Sequence, residues 1–221
     1  MRSEERAELK YYCSKASEPI FRAWLQSRTP KFRMHHPARW VYNIYFDDLD
    51  QTAYWESISG STDRRKFRLR WYADQYPSRL SVEIKEKRGN LTRKSAQEVT
   101  LESELPRRLC ALRKLVASME VFRKLDWPQG LFPSMANCYF REYFLEFETG
   151  VRMTLDHHIR ASELIDKTRL PSNTAELLRS GFVVEFKFDT QLNSFVRELL
   201  SDIPLRRQRF SKYCEGLRRR S

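Results

Sequence analysis

Arg64-Arg-Lys-Phe-Arg-Leu-Arg-Trp-Tyr72, followed after a short connection by Leu80-Ser-Val-Glu-Ile-Lys-Glu-Lys-Arg88, is the stretch on which the fold turns. Polar and apolar side chains alternate in both runs, the period of a half-buried strand. Between them Ala73-Asp-Gln-Tyr-Pro-Ser78 is rich in turn formers, so the stretch predicts a β-hairpin. Successive side chains of a strand leave opposite faces. Lys66, Arg68 and Arg70 therefore project away from Phe67, Leu69 and Trp71, and Glu83, Lys85 and Lys87 away from Val82 and Ile84.

An isolated hairpin of this kind would keep its charged face in water and its apolar face on a core. Here the pattern recurs. Arg6, Glu8 and Lys10 alternate with Ala7, Leu9 and Tyr11; Arg152 and Asp156 share a parity; Glu185, Lys187 and Asp189 oppose Val184, Phe186 and Phe188. If these strands close into one barrel with the charged stripes inside, the lumen holds more positive charge than it can bury unpaired, because each uncompensated buried ion costs several kcal/mol. Such a lumen needs water, carboxylates and an anionic guest, which makes it a phosphate-binding tunnel.

Composition agrees with an anionic partner. The 221 residues include 41 Lys plus Arg against 29 Asp plus Glu, a formal charge of +12. An aromatic content of 13% and only six glycines argue against disorder. No linker divides the chain, so residues 1–221 read as a single domain. No run approaches the roughly 20 apolar residues of a membrane span, and the charged N-terminus lacks the apolar core of a secretory signal; the expectation is a soluble, cytoplasmic protein with no membrane segment of its own. Cys13, Cys110, Cys138 and Cys214 are scattered, with neither a Cys-x-x-Cys pair nor a zinc-finger histidine, and read as reduced structural thiols.

Along the rest of the chain, Ser17 caps a helix with Pro19 in its first turn and Ile20, Phe21, Trp24 and Leu25 as core residues. His35 and His36 fall in a basic loop without a metal-ligand partner at suitable spacing. Val41 to Asp47 reads as a strand, and Asp50 as the cap of a short helix through Tyr54, Trp55 and Ile58 that ends at Gly60. Asn90 to Leu101 gives no clear period. A helix starts at Glu104 with Pro106 in its first turn and Leu109, Leu112, Leu115 and Val116 on its apolar side, packed outside the sheet. From Ala136 a second long hairpin turns at Thr149-Gly150, with His157 and His158 on opposite faces. Leu164 to Gly181 is an irregular excursion with a short helix, Phe182 to Thr190 a strand, Gln191 to Ile203 a helix; Arg206-Arg-Gln-Arg-Phe-Ser-Lys-Tyr213 and a solvated Arg218-Arg-Arg220 tail close the chain. The fold class is α+β: an eight-stranded antiparallel β tunnel, a closed barrel, with helices packed outside.

The ordered set Glu8-Leu-Lys10-Tyr, Asn43-Ile-Tyr-Phe-Asp47, Lys66-Phe-Arg68-Leu-Arg70-Trp-Tyr, Glu83-Ile-Lys85-Glu-Lys87, Tyr139-Phe-Arg141, Arg152-Met-Thr-Leu-Asp156, Glu185-Phe-Lys187 and Phe210-Ser-Lys212-Tyr resembles the VTC domain, the catalytic domain of vacuolar-type polyphosphate polymerases within the triphosphate tunnel (CYTH-like) superfamily. By matched position the resemblance implies that Lys10, Arg68, Arg70, Lys85, Arg141 and Lys212 hold the reacting phosphates and that Glu185 carries a divalent metal, Mn²⁺ or Mg²⁺. Lys94 is a looser match to a further phosphate-binding lysine. The charged strand faces add Lys66, Lys87, Arg152 and Lys187, and the terminal basic run adds Arg209. CYTH enzymes open with Glu-x-Glu-x-Lys, whereas this chain has Arg6-x-Glu8-x-Lys10, a departure that favours the VTC type.

A hard ion bridging triphosphate to one or two carboxylates suits this set; Glu8 is the second ligand candidate, with Glu83 and Asp156 reading first as counter-ions to neighbouring bases. The expected partners are ATP, polyphosphate or inorganic triphosphate, and three activities follow from the resemblance. A polymerase moves the ATP γ-phosphate onto a growing chain; a metal-dependent tripolyphosphatase or nucleoside triphosphatase lets water attack; a non-catalytic module only binds polyphosphate or nucleic acid. Nucleic acid ranks low because the aromatic residues mostly take the parity opposite the cations, leaving little to stack on bases.

Overall fold

The computed structural model describes residues 6–27, 31–72, 77–89, 91–165, 167–171, 175–176, 181–208 and 210–218. In chain order the elements are β1 (Arg6–Ser14), α1 (Glu18–Ser27), β2 (Phe32–Asp47), α2 (Thr52–Ser59), β3 (Asp63–Tyr72), β4 (Arg79–Arg88), β5 (Leu91–Thr100), α3 (Leu109–Ser118), α4 (Glu120–Lys124), β6 (Phe132–Glu146), β7 (Arg152–Glu163), β8 (Ala175–Glu176), β9 (Gly181–Asp189), α5 (Asn193–Leu199) and α6 (Lys212–Leu217). Eight strands follow one path, β1-β9-β7-β6-β2-β3-β4-β5, and the two-residue β8 pairs with β7.

The sheet is not closed. Its path ends at β1 and β5, which share no pairing among the described residues. β1 instead bridges to Arg207 through Tyr11, and the Gln208 N–H donates to the Lys10 carbonyl at 3.2 Å. The expected closed barrel is thereby corrected. A period of two fixes which face each side chain takes; it carries no information about whether the two outermost strands meet.

The chain divides into two compact units. The first comprises Met1–Arg39, Tyr139–Ile159 and Leu178–Phe210; the second comprises Trp40–Cys138, Arg160–Leu177 and Ser211–Ser221. In the second, Phe67, Leu69 and Trp71 on β3 and Val82 and Ile84 on β4 form one buried cluster with Leu109, Leu112 and Val116 of α3, Phe122 and Trp127. The apolar parity of the hairpin thus faces helices, which leaves its cationic parity on the other side of the sheet. Trp127 anchors this core, its ring meeting Phe46, Phe67 and Phe122 edge-on at 5.3, 5.3 and 5.0 Å. In the first unit Phe21, Trp24 and Leu25 of α1 pack with Tyr11, Met153, Leu155, Val184, Phe186 and Leu199, and the Trp24 indole N–H donates to Asp202 at 3.0 Å. At Gly181 an added Cβ would lie 2.7 Å from the Cys13 carbonyl oxygen and 2.8 Å from the Tyr12 ring, so this start of β9 has room for glycine alone.

Local departures from the sequence reading have physical causes. Ile20 is exposed at 61%, since α1 turns only one narrow stripe inward. His35 and His36 lie within β2, not in a loop. Asp50 does not cap α2: the left-handed residue before it is Gln51, and the carboxylates of Asp48 and Asp47 accept from the N–H groups of Thr52, Ala53 and Tyr54 at 2.8, 2.9 and 3.0 Å. α3 begins at Leu109, so Pro106 precedes it. Leu91–Thr100 is strand β5, set by its pairing with β4; it has no readable period because Val99 is the one buried side chain described along it. Between Leu164 and Gly181 the described residues contain β8 and no helix. Most of the expected hairpin turn, residues 73–76, and the tail residues 219–220 lie outside the described residues.

Leu112, fully buried in the second core, gives a direct test of that packing. Leu112→Ala is expected to destabilise the protein by about 2–5 kcal/mol through lost burial and a residual cavity, read as a shift in the urea midpoint.

Candidate functional site

Register decides what the charged faces become. In the second unit Lys66 pairs with Lys85 and Lys85 with Lys94, so three lysines lie side by side across β3, β4 and β5. The next row along is Tyr45, Arg68, Glu83 and Ala96, and the one after is Asn43, Arg70, Ser81 and the exposed Glu98. Like charges directly opposite one another in a sheet repel. Glu83 relieves part of that repulsion: its buried carboxylate takes Arg68 Nε at 2.7 Å and Arg68 Nη2 at 2.5 Å, with Arg70 Nη1 at 3.8 Å and Lys94 Nζ at 2.6 Å. Burial alone would raise the Glu83 carboxyl, but Arg68, Arg70 and Lys94 overcome it and hold it well below the usual carboxylate range.

Uncharged groups fix where the arginines point. Arg70 Nε donates to Asn43 Oδ1 at 2.8 Å, and Asn43 Nδ2 donates to Asn137 Oδ1 at 2.8 Å. Arg68 Nη1 donates to the Tyr45 hydroxyl at 3.1 Å. Burial pushes the Tyr45 phenol up, and the charges of Arg68 and Arg70 outweigh this and bring it down to about 8. Tyr45 stacks on Tyr213 at 5.1 Å. Tyr213 in turn donates its hydroxyl to the buried Asp47, which also accepts from the Asp48, Ala53 and Tyr54 N–H groups, so α6 is tied to β2 at one carboxylate. That tie places Lys212 at the first turn of α6 and brings Ser211 Oγ to 3.1 Å from Lys66 Nζ.

The first unit carries its own charged cluster. Lys10 pairs with Glu185 and Glu185 with Thr154; Glu8 pairs with Lys187 and Lys187 with Arg152. Lys187 Nζ lies 2.8 Å from Glu185, and Lys10 Nζ 2.5 Å from Glu8. Burial works to raise the Glu185 carboxyl; Lys187, Lys10, a hydrogen bond from Glu8 and Arg141 hold it well below its ordinary range. Arg141 grips Asp156 through both nitrogens of its fork, Nε to Oδ1 at 2.5 Å and Nη2 to Oδ2 at 2.8 Å. Among the described residues no group of three or more His, Cys, Asp or Glu side chains converges as a metal cage. Glu8 and Glu185, two hard oxygen donors in hydrogen-bond contact, are the pair whose chemistry suits a divalent ion completed by phosphate oxygens.

The sequence-nominated residues thus fall into two sets. Lys66, Arg68, Arg70, Lys85, Lys87 and Lys94 share a face of the second unit, to which Lys212 belongs, and Lys10, Glu8, Glu185, Lys187 and Arg152 share a face of the first, to which Arg141 and Asp156 belong. Arg209 lies outside the described residues. Asn43, Tyr45, Asn137 and Ser211 were assigned no role from sequence. The signal for two of them was present: Asn43, Tyr45 and Asp47 alternate with Ile44 and Phe46, and a polar parity on a buried strand has to satisfy something.

A third polar group lies in the first unit. Arg22 Nη2 and Nη1 reach Glu142 at 2.6 and 2.9 Å, and His157 Nε2 meets the same carboxylate at 2.9 Å. Burial raises the Glu142 carboxyl, but hydrogen bonds from His157 and Arg22 bring it down to about 2.

The VTC domain family model matches residues 5–219, and the chain belongs to that family. In fold it is similar to a candidate adenylate cyclase from Bacillus halodurans, with a TM-score of 0.57 and 15% identity over 94% of each chain. It is similar also to a candidate adenylate cyclase from Vibrio parahaemolyticus, with a TM-score of 0.53 and 15% identity, covering 95% of this chain and 96% of that one. At such identity the likeness is one of fold. No curated protein matches the chain in sequence.

Two outcomes follow from the charge geometry. Glu83→Ala leaves Arg68, Arg70 and Lys94 without their shared buried counter-ion and is expected to cost about 3–5 kcal/mol of stability, partly restored by added triphosphate in a thermal melt. Glu142 has a depressed folded pKa, so its stabilisation is complete above its ordinary value of 4.5 and fades as pH falls from there toward about 2. Acid titration of unfolding is therefore expected to be shallower across that window in Glu142→Gln than in the wild type.

Proposed function

We propose that this VTC-family chain is a polyphosphate polymerase: it binds ATP and a phosphate chain on its cationic strand faces and transfers the γ-phosphoryl group to the chain end, releasing ADP. The observation that carries the reading is the Lys66, Lys85 and Lys94 row beside Arg68 and Arg70 around Glu83. A phosphate chain presents negative oxygens at a short, regular repeat. A ladder of cations spaced by the strand separation of about 4.8 Å can engage it in any register.

Phosphoryl transfer asks little covalent work of the protein and much charge neutralisation and alignment. Arg68 and Arg70 supply forks that grip two phosphate oxygens at once; Lys66, Lys85, Lys94 and Lys212 supply movable point charges. Lys10 and Arg141 do the same in the first unit, with Lys87, Arg152 and Lys187 as further contacts. Asn43 and Tyr45 keep the two arginine planes oriented before phosphate arrives. Glu185 and Glu8 would hold Mn²⁺ or Mg²⁺, which when bound neutralises phosphate oxygens.

Transfer to a chain end is favoured over hydrolysis by the acids themselves. Glu83 and Glu185 are both held well below the ordinary carboxylate range by neighbouring cations, which makes them weak bases for activating water. A terminal phosphate of polyphosphate is already an anion and needs no base.

Incubation of the protein with ATP and Mn²⁺ or Mg²⁺, followed by phosphorus NMR and a polyphosphate-staining gel, tests the proposal. Long chains with stoichiometric ADP are expected from the wild type and, at equal fold by circular dichroism, a loss of at least about a hundredfold in Arg70→Ala and in Glu185→Gln, as for removed transition-state charge contacts. Free phosphate as the sole product would move the chain to the hydrolases. Polyphosphate-dependent stabilisation without turnover would make it a binding module.

A further inference from the structure

In the N-terminal half of β2 the burial pattern of a sheet strand breaks down. A strand in a sheet ordinarily buries at least one face, yet Arg33, Met34, His35, His36 and Pro37 are all exposed in succession, so both faces of this segment stand in water. Met34 is 61% exposed and Phe147, just past the end of β6, is 59% exposed. Basic and aromatic groups surround them. The Arg33 guanidinium lies over the Phe147 ring at 5.9 Å and His35 meets the same ring edge-on at 6.5 Å. Arg39 lies 5.4 Å over Tyr143 and donates to its hydroxyl at 3.3 Å, while His36 packs on that ring at 5.3 Å. Lys31 precedes the segment in sequence, exposed, and Glu148, also exposed, is the acid beside Phe147.

We propose that this ribbon, residues 33–39 with 143–147, docks on an acidic phospholipid surface, with Met34 and Phe147 entering the acyl boundary and Arg33 and Arg39 meeting the headgroups. Met34 and Phe147 put apolar area beside those cations, the pairing an interfacial segment uses. Flanking cations, with Glu146 buried and Glu148 as the exposed acid beside Phe147, give the charge complementarity of an anionic interface, and exposure of both faces lets the ribbon enter edge-on. A bare phosphate chain would satisfy the arginines and leave Met34 and Phe147 in water, so the lipid surface is the occupant that uses all four. None of the cationic residues assigned to phosphate transfer falls within residues 33–39 or 143–147, so the two proposals fail independently.

The test is flotation of the full chain with vesicles of phosphatidylcholine alone or with phosphatidylserine. Binding to the acidic vesicles alone, weakened by salt, is expected. Arg33→Ala/Arg39→Ala should bind roughly thirtyfold more weakly, at about fivefold per basic side chain near an acidic surface. Met34→Ser/Phe147→Ser should lose roughly tenfold or more. Both variants should keep the wild-type melting curve and wild-type polyphosphate binding. Equal binding to neutral and acidic vesicles, no binding to either, or wild-type binding by both variants would overturn the proposal. So would a wild-type oligomer dissolved by Met34→Ser/Phe147→Ser, which would give the ribbon to a second copy of the chain, or capture of single-stranded RNA in place of vesicles.

Discussion

The Glu83 carboxylate, buried between Arg68, Arg70 and Lys94, is the interaction on which the second unit depends. Without it, two cations on β3 and one on β5 would be left around an empty position on β4 at low dielectric, where repulsion is far stronger than in water. With it, the arginines are pre-set and the face keeps a net positive charge. The cost of that arrangement is met on the opposite side of the same strands, where Phe67, Leu69, Trp71, Val82 and Ile84 pack beneath α3. One hairpin therefore carries both the apolar energy that stabilises the unit and the charge that this energy sustains.

The first unit solves a related problem differently. There the bases and acids alternate more evenly: Lys10 with Glu8, Lys187 with Glu185, Arg141 with Asp156. Arg141 meets Asp156 through two of its five N–H donors, whereas Glu185 lies against Glu8 and is held in its charged form chiefly by Lys187 and Lys10. The His157–Glu142–Arg22 group shows the purely structural version of the same chemistry: a carboxylate shared by two bases, with its charge balanced locally.

Strand faces were legible in the sequence because the side-chain period of a strand is two and does not depend on context. From Arg64 to Arg88 that period separated the cations from the core, and the pairings Lys66 with Lys85 and Arg68 with Glu83 followed that separation. Irregular backbone was less legible. The start of α2 is organised by Asp47 and Asp48 instead of Asp50, since a cap is chosen by the reach of a carboxylate to particular N–H groups. Asn43 and Tyr45 went unassigned because their role is to hold an arginine from the adjacent strand.

By itself, the sequence determined strand-rich α+β structure, the parity of each cation, family-level kinship and the excess of positive charge, because all of these are local or additive properties of the chain. Only the tertiary structure decided that the sheet stays open, that β1, paired with β9, also bridges to the segment at Arg207, that three cations converge on Glu83, and that Met34 and Phe147 are left in water. Those depend on which distant strands lie next to one another, and a pattern of period two is satisfied equally well by many such neighbours.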